Sequence, residues 1–154
     1  MELRQALTVS NEVVNRLAPF CQNIMVVGSV RRKKEIVNDI DIVLIPANQG
    51  ALAVALRSLG PKLKSGPAIY SCMYSGAEVE FYIADETTWP TLVLIRTGSK
   101  EHNIKLCSQA KSMGLHLHAD GSGISSDGQT IMLPKAEADI FDILGIPYVP
   151  PEKR

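Results

Sequence analysis

Asp39-Ile40-Asp41-Ile42-Val43-Leu44-Ile45 is the stretch on which the fold turns. It is short, apolar apart from its acids and rich in β-branched residues, and Pro46 stops it, so it reads as a strand. Strand side chains alternate, so Asp39 and Asp41 share a face that continues as Val43 and Ile45. Two like charges side by side, on a face that soon turns apolar, repel each other and are poorly solvated. A divalent cation compensates both. Carboxylate oxygens at this spacing suit Mg²⁺, which keeps waters and phosphate oxygens in its other positions. Without an ion, Asp-x-Asp is a sheet face running into solvent, and on this segment alone both readings stand.

Working outward, Val79-Glu80-Phe81-Tyr82-Ile83 supplies a further carboxylate. Val79, Phe81 and Ile83 take one face and Glu78, Glu80 and Tyr82 the other. If this strand lies beside the first with matching orientation, Glu80 completes a three-carboxylate cluster. Such a cluster holds two metal ions about 3.5–4 Å apart for an in-line displacement. Upstream, the apolar run Ile24 to Val27 ends at Gly28-Ser29, followed by Val30-Arg31-Arg32. A helix capped there by Ser29 would offer free N–H groups to an anion, with the Arg32 guanidinium as a clamp on phosphate. A Gly-Ser turn is weak by itself; its weight comes from lying about ten residues before the acid pair.

The rest of the chain fills in around these pieces. Leu3 to Ala18 has a loose helical spacing closed by Pro19, and Gly50 to Leu59 is helical with Gly60-Pro61 as its stop. Ala68 to Tyr74 and Ala77 to Ala84 read as strands joined by a hairpin at Ser75-Gly76. This order gives a mixed sheet with a helical crossover. Beyond Trp89-Pro90 the character changes. Helices are expected over Thr91 to Ile95, Lys100 to Met113 and Ala136 to Leu144. Short strands are expected at Leu115 to Leu117, Gly123-Ile124 and Thr130 to Leu133, with a turn at Ser126-Asp127-Gly128. The fold class is therefore α+β, a mixed-sheet domain over 1–88 followed by a smaller subdomain of helices and a sheet over 89–154.

Composition narrows the function classes. The chain of 154 residues is 45% hydrophobic and 21% charged, in the range of soluble globular domains. Aromatics make up 5%, too few for a base-stacking platform, and 16 basic residues balance 16 acidic ones. Nucleic-acid binding must therefore rest on local charge, with Arg31-Arg32-Lys33-Lys34 the one dense cationic run. Cys21, Cys72 and Cys107 are widely spaced and odd in number, which argues against a disulfide framework or a structural zinc site. The opening MELRQALTVSNEVV has no signal-peptide core, and no window approaches the roughly 18 apolar residues of a membrane span. A soluble, cytoplasmic protein without membrane contact is expected.

Taken together, Gly28-Ser29, Arg31-Arg32 and Asp39-Ile40-Asp41 resemble the signature of the polymerase beta nucleotidyltransferase superfamily. Thr97-Gly98-Ser99, Asn103, Gly114-Leu115 and the closing Ile140-Phe141…Leu144-Gly145-Ile146-Pro147-Tyr148 narrow the resemblance to the X family of DNA polymerases, over palm and thumb. The resemblance implies a metal-dependent enzyme that adds a nucleotide from a dNTP to a primer 3′-hydroxyl and releases pyrophosphate. It implies that Asp39 and Asp41 bind two Mg²⁺ ions, Mn²⁺ being an alternative. Glu80 would stand as the third carboxylate, which helps activate the primer hydroxyl. Gly28, Ser29 and Arg32 would hold the nucleotide's phosphates, Thr97 and Gly98 its sugar, and Asn103 its base edge. The implied partners are the dNTP and primer-template or gapped DNA. The modules that usually grip DNA are not in this sequence, so a weak hold, or a protein partner supplying the grip, is expected.

Some positions depart from the family pattern. Glu80 replaces the usual Asp, and Glu78 replaces an Arg on the primer side. Ile95-Arg96 replaces an aromatic pair tied to sugar discrimination, and Cys107 replaces a residue near the nascent base pair. These departures keep two alternatives open: untemplated transfer, or transfer to RNA or a small molecule, and a non-catalytic nucleotide-binding scaffold. His116 and His118 share a strand face and His102 lies in a helix; all three are read as surface histidines. Trp89, before a proline, is read as a packing anchor.

Overall fold

In the computed structural model, which describes residues 1–127 and 129–154, the apolar alternation read above becomes a central strand covered on both faces. The chain opens with α1 (Leu3–Leu17), whose stripe of Ala6, Val9, Val13 and Leu17 is buried. It continues through β1 (Cys21–Val26), the one-turn α2 (Gly28–Arg31) and β2 (Ile40–Pro46). Next come α3 (Gln49–Leu59), β3 (Lys62–Ser65), β4 (Ile69–Tyr74) and β5 (Ala77–Ile83). These strands form a five-stranded sheet in the order β1-β2-β5-β4-β3. β2 and β5 run parallel and the other pairs antiparallel, so α3 and the strands after it are the crossover.

The two faces of β2 have different fates. Ile40, Ile42 and Leu44 join Val79 and Phe81 of β5 under α1 and α3 in one buried cluster. Val43 and Ile45 face the other way, with Tyr82 and Ala84, and are covered by Leu92 and Val93 of α4 (Trp89–Thr97). Asp41 lies on this second face, just past the edge of the apolar cover. The alternation that gave a strand therefore also set the acids at the rim of a covered surface.

Past the sheet, α4 leads into α5 (Lys100–Ser112), then β6 (His116–His118), β7 (Gly123–Ser126), β8 (Gln129–Met132) and α6 (Glu137–Ile143). The short strands pair antiparallel in a three-stranded sheet. Leu94, Leu106, Leu117, Ile124, Ile140, Phe141 and Leu144 make its core. Helix α4 feeds both layers, since Leu92 and Val93 face the large sheet and Leu94 and Ile95 the second core. The helix is thus longer than the Thr91–Ile95 segment expected from sequence, with Pro90 tolerated in its first turn.

Several expectations need adjusting. β3 was not expected; all its residues are exposed, and Lys-Leu-Lys-Ser carries no core-facing alternation. Its lysines suit an edge strand, where charge discourages pairing with another chain. β1 starts earlier than expected, at Cys21. The Ser75-Gly76 hairpin is present, with both residues at positive φ, the conformation that two-residue hairpin turns favour. The turn expected at Ser126-Asp127-Gly128 falls, at Gly128, outside the described residues. No helix among the described residues is long and apolar enough to cross a membrane.

Candidate active site

The acidic residues are brought together by strand register. Asp41 on β2 lies directly opposite Glu80 on the parallel β5, so both side chains rise from the same face. Asp39 is placed just before β2 rather than within it. Beneath Asp41 sits Gly28, at φ +62°. A Cβ added there would stand 2.1 Å from Asp41 Oδ2 and 3.0 Å from Asp41 Cβ, so only glycine leaves room for this carboxylate. The Gly-Ser turn and the acid pair are thus one packed unit, joined also by Val27 N–H donating to the Asp41 carbonyl at 2.8 Å.

The charges around this unit are unevenly met. Burial, then the charge of Asp39, pushes the Asp41 carboxyl up to about 6. Glu80 is the opposite case. Burial opposes its charge, but Lys64 Nζ at 2.5 Å and the Tyr82 hydroxyl, donating at 2.6 Å, outweigh burial and hold its carboxyl below the usual range. The same hydroxyl lies 3.3 Å from Asp41 Oδ1, and the Arg96 guanidinium stacks over the Tyr82 ring at 4.1 Å. Because Glu80 is turned onto Lys64 and Tyr82, the expected three-carboxylate cluster is not assembled as such. Among the described residues, no three His, Cys, Asp or Glu side chains converge in an arrangement that holds a metal. Asp39 and Asp41 still fit a hard divalent cation, since Asp41 is a hindered carboxylate with another acid as its neighbour and, among the described residues, no ion pair of its own.

Asp39 and Asp41 open onto a cleft of about 780 Å³ between the large sheet and α4–α5, and Glu80 is not among its lining residues. Gly28, Ser29, Arg32, Gly98 and Asn103 all line it, as the sequence reading expected, together with Asp39 and Asp41. Their local roles differ from that reading. Ser29 is not a helix cap: α2 starts at Gly28, and the Ser29 hydroxyl has no hydrogen-bond partner. Arg32 donates from one terminal nitrogen to the Thr97 carbonyl, while its Nε is unpartnered. Asn103 donates to the Ile95 carbonyl at 2.8 Å and leaves its Oδ1 unpartnered. Such orphaned polar atoms are uncommon in folded chains, and here they sit just beneath the cleft wall. Thr97 does not reach the cleft; its side chain is fully buried, donating to the Val93 carbonyl and accepting from Arg31 at 2.7 Å. Gly98, at φ +70°, lies over Arg32, whose guanidinium would be 2.9 Å from a Cβ placed there. Lys34, Arg96, Lys100 and Lys111 add positive charge to the rim, and Cys107 is exposed in it.

Sequence reading missed three working side chains. Lys64 sits on the unrecognised edge strand. Tyr82 had been assigned to the polar face, and that alternation was its only signal. Arg31, noted in the sequence only as part of the dense cationic run and the family signature, makes a bidentate pair with Glu137 of α6 at 3.0 and 2.8 Å, and Arg154 binds the same carboxylate. His102, expected on the surface, is buried against Phe141 with both ring nitrogens unpartnered; burial first, then Arg154, lowers its pKa. His116 is exposed, and His118 is shared with Ser125 at 2.6 Å. Trp89 packs beside the α4 cluster, as an anchor would.

Comparison with known proteins agrees with this fold. Residues 92–154 match the family described as DNA polymerase beta thumb. The chain is 30% identical over 157 aligned residues to the DNA polymerase/3′-5′ exonuclease PolX of Bacillus subtilis (strain 168), covering 97% of this chain and 27% of that protein. It thus spans about a quarter of that relative's length. Among solved structures it superposes on Leishmania infantum polymerase beta in a ternary P/T complex, with TM-score 0.85 and 21% identity, covering all of this chain and 76% of the other. The ternary gap complex of the same polymerase gives TM-score 0.86 at 20% identity, covering 70% of that chain.

Proposed function

The chain carries the palm and thumb fold of the family X DNA polymerases, and on that premise we propose that its cleft transfers a nucleotide from a dNTP to a primer 3′-hydroxyl. The observation that carries this reading is the parallel pairing of Asp41 with Glu80, above Gly28 and at the head of a cleft lined by Ser29 and Arg32. In this reading residues 1–88 are the palm and 89–154 the thumb.

Asp39 and Asp41 would hold magnesium, and manganese by the same oxygen donors. Bound metal supplies the positive charge that neutralises the phosphates and eases deprotonation of the attacking hydroxyl. The chain's own residues do the positioning. Ser29 and Arg32 line the cleft where the β- and γ-phosphates would lie, and Arg32 is braced there by its bond to the Thr97 carbonyl. Gly98 and Asn103 line the part of the cleft where the sugar and the base edge would lie. Glu80 stands beside Asp41 on the primer side. The primer oxygen attacks the α-phosphorus, the bond to the bridging oxygen breaks, and pyrophosphate leaves toward Ser29 and Arg32. The hydroxyl proton passes to Glu80 or solvent. Phosphoryl transfer of this kind depends on alignment and charge more than on covalent help from the protein.

A second reading, transfer to another acceptor, draws on Glu78, which adds negative charge beside Glu80, and on Arg96 at the rim. One assay separates the two. A one-nucleotide gap and a bare single strand are offered each dNTP and NTP with Mg²⁺ or Mn²⁺, and Asp39→Asn/Asp41→Asn serves as the control. Addition of only the complementary nucleotide, lost in the double variant, is the expected result. Addition to the single strand regardless of template would favour the second reading. Addition that persists in the double variant would overturn both.

A further inference from the structure

The edge strand β3 places one side chain in the acidic site, and a backbone irregularity aims it there. Lys62 pairs with Cys72 on β4, yet Lys64 pairs with Ser71, so the ladder gains a residue at Leu63. In an unbroken ladder Lys64 would lie opposite Tyr70, on the face packed under α3. The bulge turns it to the Ser71 face instead. Ser71 in turn lies opposite Glu80 on β5, which lies opposite Asp41 on β2. Lys64 and Glu80 are thus two strands apart on one face, roughly 10 Å at the usual strand spacing. An extended lysine and a glutamate close that gap because Ser71, fully buried and small, lies between them. Lys64 Nζ reaches Glu80 Oε1 at 2.5 Å and Glu78 Oε1 at 3.8 Å. Among the described residues Asp39 and Asp41 have no ion pair of this kind, although the Asp39 charge also acts on Lys64 from a distance. Arg96, stacked over the Tyr82 ring, is a further cation on this face.

We propose that Lys64 is the resident counter-ion of Glu80 and makes the two metal positions unequal. One divalent ion binds at Asp39 and Asp41, and a second binds only by displacing the Lys64 ammonium from Glu80. An ammonium and a divalent ion cannot share one carboxylate oxygen without strong repulsion, so each excludes the other. This rests on the reading of Asp39 and Asp41 as the metal site given above.

The test uses Mn²⁺ alone with the nucleotide-free chain, and free ion is counted by electron paramagnetic resonance. Wild type should show one ion and a distinctly weaker second. In Lys64→Met the second ion should tighten by about tenfold or more, the value of a charged hydrogen bond removed from its competitor. Lys64→Arg should behave as wild type, and Glu80→Gln should keep the first ion and lose the second. The Lys64 side chain is 57% exposed, so these changes leave the core untouched. Equal second-ion affinities in wild type and Lys64→Met would overturn the role of Lys64 and leave the metal site standing. Absence of Mn²⁺ binding that differs between wild type and Asp39→Asn/Asp41→Asn would overturn the site itself, and the proposal with it.

Discussion

At the scale of single residues, Asp41 is held where it is least comfortable. Gly28 admits it, Asp39 repels it, and the apolar cover of Val43 and Tyr82 begins one pleat away. Its carboxyl titrates near 6 in the folded chain, against 3.8 as the ordinary value. A raised folded pKa means that the associated stability is complete below pH 3.8 and is lost as pH rises toward 6. In chelator, wild type should therefore lose roughly 2–3 kcal/mol across that window relative to Asp41→Asn. Urea unfolding at pH 4 and pH 7 measures the difference. The same variant should lose nucleotide transfer, because the destabilising charge is the one that would bind metal. Parallel pH profiles for the two proteins would show that Asp41 is not strained by its surroundings.

At the scale of elements, the joint between the two layers depends on one carboxylate. Arg31 from α2 and Arg154 from the closing segment converge on Glu137 at the start of α6, and Arg31 also braces Thr97 at the end of α4. Burial opposes the Glu137 charge, but the two arginines outweigh it and lower its pKa. A lowered folded pKa gives stability that is present above the ordinary value of 4.5 and is lost as pH falls through the folded one. Glu137→Gln leaves two guanidinium groups short of a partner and should cost about 3 kcal/mol at neutral pH. Trp89, the only tryptophan, opens α4 and reports on this joint. Its fluorescence and the helical circular dichroism should unfold together in wild type. In Glu137→Gln the fluorescence transition should come first, and coincident, unshifted transitions would argue that the joint is held elsewhere.

At the scale of the whole molecule, charge is balanced overall and polarised locally. The 16 basic and 16 acidic residues cancel, yet Arg32, Lys34, Arg96, Lys100 and Lys111 all line the cleft that holds the acids. Rim cations of this number would make about three to five phosphate contacts. Affinity for gapped DNA should then fall by roughly 50- to 500-fold between about 50 and 200 mM salt. Fluorescence anisotropy across that range measures the slope. A flat dependence would show that the rim does not meet the DNA backbone.

What the sequence determined by itself is the part written in periodicity and short-range chemistry. The alternation of Ile40 to Ile45 gave the central strand and the face on which Asp41 stands, with Asp39 falling just before the strand, and Ser75-Gly76 gave the hairpin. Gly28, Ser29 and Arg32 were legible as anion-site residues because their turn lies close before the acids in the chain, whereas Gly98 and Asn103 were reached only through the family resemblance. What only the tertiary structure decided was pairing across distance. The β2–β5 register set Glu80 beside Asp41, the bulge in β3 sent Lys64 to Glu80, and the stacking of layers turned Arg31 onto Glu137. The same packing buried Thr97, which the family resemblance implied at the sugar, and His102, which local pattern put on the surface. Periodicity tells a residue which face of its own element it occupies. Which element lies opposite depends on contacts far apart in the chain, and for polar residues such as Lys64 no apolar pattern marks the partner in advance.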